Sequence, residues 1–187
     1  MSEWLVRHGG KRALLKTACT PLLVAATPWR RFAAPIKLSP HRIVFVCAGN
    51  ICRSPFAEHL ARQRGLNAVS MGLRAGRGQP ANATAVRVAA VFGVDLASHL
   101  SRPIDVANLR QGDLLLGFEL WHACALEVVQ PEGTVRLVGS FAGLAHCHLY
   151  DPYGLPDVSF EYCFHRIERA VSALADTMPS LRRKGAE

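Results

Sequence analysis

Twelve residues, Val44-Phe45-Val46-Cys47-Ala48-Gly49-Asn50-Ile51-Cys52-Arg53-Ser54-Pro55, leave a chain few ways to fold. An apolar, β-branched run ends at a cysteine, a tight loop follows, and an arginine precedes a Ser-Pro pair suited to capping and entering a helix. In that geometry the loop amides and the positive end of the helix dipole converge on one point, and Arg53 adds a planar, two-pronged donor. A phosphate-sized oxyanion suits such a point. The same positive potential should hold Cys47, at its floor, as a thiolate nucleophile.

Everything else must support that loop. At 187 residues and 50% hydrophobic, the chain is long enough to bury a core as one domain plus an appendage. Its net charge of +8 is concentrated at one end. Residues 1–42 carry Arg7, Lys11, Arg12, Lys16, Arg30, Arg31, Lys37 and Arg42 against one acid, Glu3, so the remainder is close to neutral. Trp29 and Phe32 flank Arg30-Arg31, but no nucleic-acid module accompanies them, and a weak membrane-surface contact suits this basic N-terminus better. Its apolar part, Ala13 to Ala26, is interrupted by Lys16 and Pro21 and falls short of the roughly 20 residues a span needs. Pro21, Pro28, Pro35 and Pro40 argue against a long helix, so residues 1–40 read as a basic, disordered extension and residues 41–187 as the folded domain. Cys19, Cys47, Cys52, Cys124, Cys147 and Cys163 lack the spacing of a disulfide scaffold or a paired zinc motif, which suits a reducing cytoplasm.

From His41 onward strands and helices alternate. Ile43–Val46 reads as a parallel strand buried on both faces. Residues 55–64 read as a helix ended by Gly65, and Ala68–Met71 as a second strand leading into a glycine-rich loop. Asn82 caps a helix with Ala85, Val88, Ala89 and Phe92 on one face. Asp113–Gly117 is a third strand, followed by a helix whose Trp121, Cys124, Ala125 and Val128 share a face. Val135–Val138 is a fourth strand, and a last helix from about Ser159 to Met178 buries Phe160, Phe164, Ile167, Val171 and Leu174. The expectation is an α/β three-layer sandwich: a four-stranded parallel sheet of flavodoxin-like, doubly wound topology with helices on both faces. Ligands of such sheets bind at the carboxyl ends of strands, where Cys47 lies.

The full string Val-Cys-x-Gly-Asn-x-Cys-Arg-Ser-Pro resembles the low-molecular-weight protein tyrosine phosphatases. Ser70-Met71-Gly72-Leu73, Asp113-Leu114-Leu115-Leu116 and Asp151-Pro152-Tyr153-Gly154 match further family segments in order, and the resemblance runs from about residue 42 to 178. It implies that Cys47 attacks phosphorus, that Arg53 with the amides of Ala48, Gly49, Asn50, Ile51, Cys52 and Ser54 holds the phosphoryl oxygens, and that Asp151 is the general acid. It also implies Tyr153 and Leu73 as the two walls around a phosphotyrosine ring. The leucine resembles the bacterial branch that acts on tyrosine autokinases of polysaccharide export. Asn50, Ser54, Ser70 and His99 match a hydrogen-bonded network behind the loop. Cys52 reads equally as a partner for reversible oxidation of Cys47 or as a small buried hydrophobe at the helix start. Met71 and Asn82-Ala83 depart from the family pattern without touching the implied chemistry.

No cofactor or metal is called for. His146-Cys147-His148 has poor spacing for a tetrahedral ion and reads as ordinary loop residues. Asp105, Glu119 and Asp157 read as solvated or capping acids. Two other functions compete. A thioredoxin-coupled arsenate reductase would need two closely spaced relay cysteines beyond the third strand, where only Cys124 occurs. A non-catalytic phosphotyrosine-binding protein would need neither the Cys47 thiolate nor the Asp151 acid.

Overall fold

The sheet and its covering helices follow from where the apolar runs lie. The computed structural model describes residues 3–36 and 40–178; residues 1–2, 37–39 and 179–187 of the expected extension and domain lie outside them. Strands β1 (Arg42–Cys47), β2 (Ala68–Gly72), β3 (Asp113–Gly117) and β4 (Thr134–Leu137) pair in parallel, in the order β2-β1-β3-β4. β1 and β3 are central, and Ile43 to Val46 and Leu114 to Leu116 are fully buried, as expected for strands covered on both faces.

Six helices accompany the sheet among the described residues: α1 (Glu3–Arg7), α2 (Gly10–Ala26), α3 (Arg53–Gln63), α4 (Ala83–Val91), α5 (Leu120–Val129) and α6 (Asp157–Thr177). On one face, α3 and α6 bury Phe56 and Phe164 as a stacked pair with centroids 3.9 Å apart, beside Ile43, Phe45, Leu114 and Leu116. On the other, Val44, Val46 and Leu115 meet Ala123 and Leu126 of α5. The Asn82 side chain accepts from the amides of Thr84 and Ala85 and starts α4 as expected.

Three local expectations differ from the structure. Cys52, not Ser54, occupies the N-cap of α3, so Ser54 lies inside the first turn with its hydroxyl free for another partner. In α5 the buried residues are His122, Ala123 and Leu126, while Trp121 and Val128 are exposed. His122 can turn inward because its Nδ1 accepts from the amides of Phe118 and Glu119, and burial pushes its pKa down to about 2, which keeps it neutral.

The third difference concerns the expected disordered extension. α2 runs for 17 residues with Pro21 inside it, losing one backbone donor there, and a 3-10 turn at Pro28–Ala33 follows. Val24 and Phe32 are fully buried in the β1/β3/α5 core. Arg31 grips Glu127 of α5 with Nε and Nη2, and Arg136 Nε donates to Ala34 O at 2.7 Å. Apolar contacts made far away in sequence thus outweigh local proline chemistry.

Candidate active site

β1 delivers Cys47 to the carboxyl edge of the sheet, and residues 48–52 turn the chain into α3. Asn50 carries the turn at φ 54°, the only positive φ among described residues other than glycine. Four bonds hold it there. Its Nδ2 donates to Ser54 Oγ (2.9 Å) and Ser70 Oγ (2.8 Å), its Oδ1 accepts from the Arg102 amide (2.8 Å), and its carbonyl accepts from His99 Nε2 (2.8 Å). Burial lowers the His99 pKa, so the neutral ring with Nε2–H is the form that fits. Ser70 Oγ donates a hydrogen bond to buried Glu58 at 2.6 Å, and Glu58 is charge-balanced by Arg62 and Arg102.

This chain of bonds ends on sulfur. Ser54 Oγ, which accepts from Asn50, lies 3.0 Å from Cys47 Sγ and 3.4 Å from Met71 O as its two possible acceptors, and the Asn50 backbone amide donates to the same sulfur at 3.3 Å. The loop is also tied by its carbonyls: Cys47 O accepts from Leu73 N (2.9 Å) and Ala48 O from Arg74 N (2.8 Å). That close approach explains Gly72, since a Cβ there would lie 2.8 Å from Ala48 O and 2.9 Å from Asn50 N.

Arg53 is 1% exposed, so its charge must be met inside the protein. One terminal nitrogen donates to Glu119 Oε1 and to Leu149 O, both at 2.9 Å, and the other meets Asp151 Oδ2 at 2.7 Å. Burial works against the cation, but Asp151 and Glu119 more than offset it and hold the guanidinium above its ordinary pKa. Its Nε is buried without a protein partner, so one directed donor remains for an oxyanion. Cys47, Arg53, Asp151 and exposed Tyr153 line one cavity of about 250 Å³, together with Ala48, Gly49, Ile51, Cys52 and Arg74.

The sequence profile of the low molecular weight phosphotyrosine protein phosphatases matches residues 42–186. The chain belongs to that family. It is 37% identical to the low molecular weight protein-tyrosine-phosphatase Etp of Escherichia coli K12 over 138 residues, covering 72% of this chain and 92% of Etp. Among solved structures it resembles Vibrio vulnificus Wzb in complex with benzylphosphonate (TM-score 0.68, 33% identity, 74% of this chain and 99% of that one). It also resembles Erwinia amylovora tyrosine phosphatase AmsI (TM-score 0.70, 29% identity, 78% and 97%). The family match begins at residue 42, so α1 and α2 lie outside it.

Most residues singled out from the sequence of this phosphatase meet at one place. Cys47, Arg53, Asp151, Tyr153, Ala48, Gly49, Ile51 and Cys52 line the cavity; Asn50, Ser54, Ser70 and His99 stand behind it. Leu73 does not line it. Leu73, in the turn just after β2, packs with Met71 against the α5-side core, and Arg74, over the Trp121 ring at 5.0 Å, reaches the cavity instead. Burial, with Asp151 and Cys47 nearby, pushes the Cys52 thiol well up, so it sits in the site as a protonated thiol.

Glu119 and Glu58 are the functional candidates the sequence reading missed. Glu119 was expected to be solvated or capping; it is the N-cap of α5, in a capping box with His122, and it is also buried against Arg53, with Lys16 of α2 4.0 Å from its other oxygen. Its place just past the end of β3 was the usable signal, because that edge of the sheet is where ligands bind. Asp105 caps a short turn and Asp157 pairs with Arg87 on the surface. Among the described residues no group of three His, Cys, Asp or Glu side chains could hold a metal. Glu119→Gln should leave Arg53 less firmly aimed and lower kcat/KM by roughly tenfold to 10²-fold. Steady-state kinetics on an aryl phosphate checks this, and an unchanged value would show that Glu119 does not position the arginine.

Proposed function

We propose that this phosphatase hydrolyses phosphotyrosine through a cysteinyl-phosphate intermediate. The observation that carries this reading is the single cavity lined by Cys47, Arg53 and Asp151, with Arg53 and Asp151 paired at 2.7 Å. An arriving phosphate dianion competes with Asp151 for Arg53. Cys47 sulfur bonds to phosphorus as the aryl P–O bond breaks, and Asp151 gives its proton to the departing phenolate oxygen. Water then attacks phosphorus, Asp151 takes the water's proton, the P–S bond breaks, and phosphate leaves with the Cys47 thiolate restored. Arg53 and the loop amides meet the charge on the three equatorial oxygens throughout. No cofactor takes part.

The physiological substrate in this reading is a phosphotyrosine-bearing protein, such as a bacterial tyrosine autokinase of polysaccharide export, and the setting is the cytoplasm. What supports the substrate is the family together with an exposed tyrosine, Tyr153, at the rim. The basic N-terminus contributes a weak membrane-surface contact, and nucleic acid is not a partner. Tyr153→Ala should raise KM for a phosphotyrosyl peptide about tenfold and leave inorganic phosphate inhibition unchanged, because the ring stacks on the aryl group and not on the oxyanion. Comparable rates on phosphoseryl and phosphotyrosyl peptides would overturn the substrate assignment.

A further inference from the structure

α2 is apolar on the side where a surface helix should be polar. Its inner face is set by Thr20 and Val24, both buried. At 100° per residue the opposite face comprises Leu15, Cys19, Leu22 and Ala26, spaced i, i+4, i+7 and i+11. All four are exposed, Leu15 at 66% and Leu22 at 72%. Leu23 beside them is 45% exposed, and Trp4 of α1 is 55% exposed. A helix whose back is buried in a core has no folding reason to carry this stripe.

The charges around the stripe say what would cover it. Lys11 and Arg12, both exposed, stand at its N-terminal end, and exposed Arg30 lies just beyond its C-terminal end. Glu3 is the only acid in the first 36 residues. A second copy of the chain would bring basic ends against basic ends, whereas an anionic surface meets the bases while the leucines enter its apolar layer. At 17 residues α2 is too short to cross a bilayer, and no described helix is long and apolar enough to do so. We propose that the solvent face of α2 docks in the plane of an anionic lipid surface, with Leu15 and Leu22 inserted and Lys11, Arg12 and Arg30 at the headgroups.

This docking face is attached to the catalytic domain beside the acid. Tyr150 Oη donates to Arg7 O at 2.8 Å, Ser159 Oγ donates to Val6 O at 2.5 Å, and Gly9 packs so closely that a Cβ would lie 2.6 Å from the Tyr150 ring. Tyr150 directly precedes Asp151. Resting on the phosphatase reading, the substrates favoured by this arrangement are phosphotyrosines on proteins held at a lipid surface.

The test is co-sedimentation of the full chain with phosphatidylcholine vesicles, with and without phosphatidylglycerol. The intact protein should pellet with the anionic vesicles and less so as salt rises. Leu15→Glu/Leu22→Glu should weaken partitioning by roughly tenfold to 10²-fold while hydrolysis of a soluble aryl phosphate is unchanged. Lys11→Glu/Arg12→Glu should weaken it too. Failure of the intact protein to pellet, or equal pelleting of the Leu15→Glu/Leu22→Glu variant, would overturn the proposal. So would a lipid-independent dimer that the leucine substitutions dissociate, which would assign the face to a second copy. Loss of aryl phosphatase activity with vesicle binding intact would count against the catalytic reading and not against the docking.

Discussion

Replacing Cys47 by serine is expected to reduce aryl phosphate turnover by on the order of 10⁵- to 10⁶-fold while the protein stays folded and still binds phosphate. The substitution removes one polarisable atom from a site whose geometry is held elsewhere. Asn50 keeps its bonds to Ser70, Arg102 and His99, and Arg53 keeps Glu119, Leu149 and Asp151. A serine hydroxyl at this position has no adjacent base to activate it, since the nearest side-chain oxygen, Ser54 Oγ, is itself a hydroxyl. Kinetics and phosphate inhibition of the same preparation check both halves. Turnover that survives the substitution would remove Cys47 from the nucleophile's role.

Asp151→Asn should slow hydrolysis of a phenolic substrate with a poor leaving group by about 10²- to 10⁴-fold. A substrate whose leaving group departs without a proton should be slowed far less. The contrast distinguishes acid catalysis from binding, because loss of the Asp151 contact to Arg53 would affect every phosphate ester alike. A rate loss independent of the leaving group would leave Asp151 as a partner of Arg53 only.

The sheet was legible because its signals are local. Four short apolar runs end at turns, and both central strands are buried on both faces, so their sequence needs no alternation. Cys47 and Arg53 were legible for the same reason: a strand, a tight loop and a helix start bring them together without help from the rest of the chain. Asp151 lies 98 residues beyond Arg53 in the chain, and only the family resemblance placed it. Glu119 stayed hidden because its place just past the end of β3 marks a binding edge, while its partner Arg53 lies 66 residues away in the chain. The α5 face was misread because Leu-Trp-His-Ala-Cys-Ala-Leu-Glu-Val-Val is apolar nearly all round, and the residue that decides its orientation is a histidine satisfied by backbone amides. The N-terminal helices were read as disorder because their prolines are local, whereas Val24 and Phe32 find their partners across the sheet.

The step that defines this mechanism is the passage of phosphate through sulfur. Asp151→Ala, mixed with an aryl phosphate that needs no acid and quenched in acid within the first turnovers, should accumulate a phosphate adduct, because Asp151 is also the base that activates water in the second step. Mass spectrometry of the digested protein should place that adduct on the peptide containing Cys47 and find none in Asp151→Ala/Cys47→Ser. An adduct on another residue, or turnover by the double variant at the rate of Asp151→Ala, would contradict the cysteinyl-phosphate mechanism.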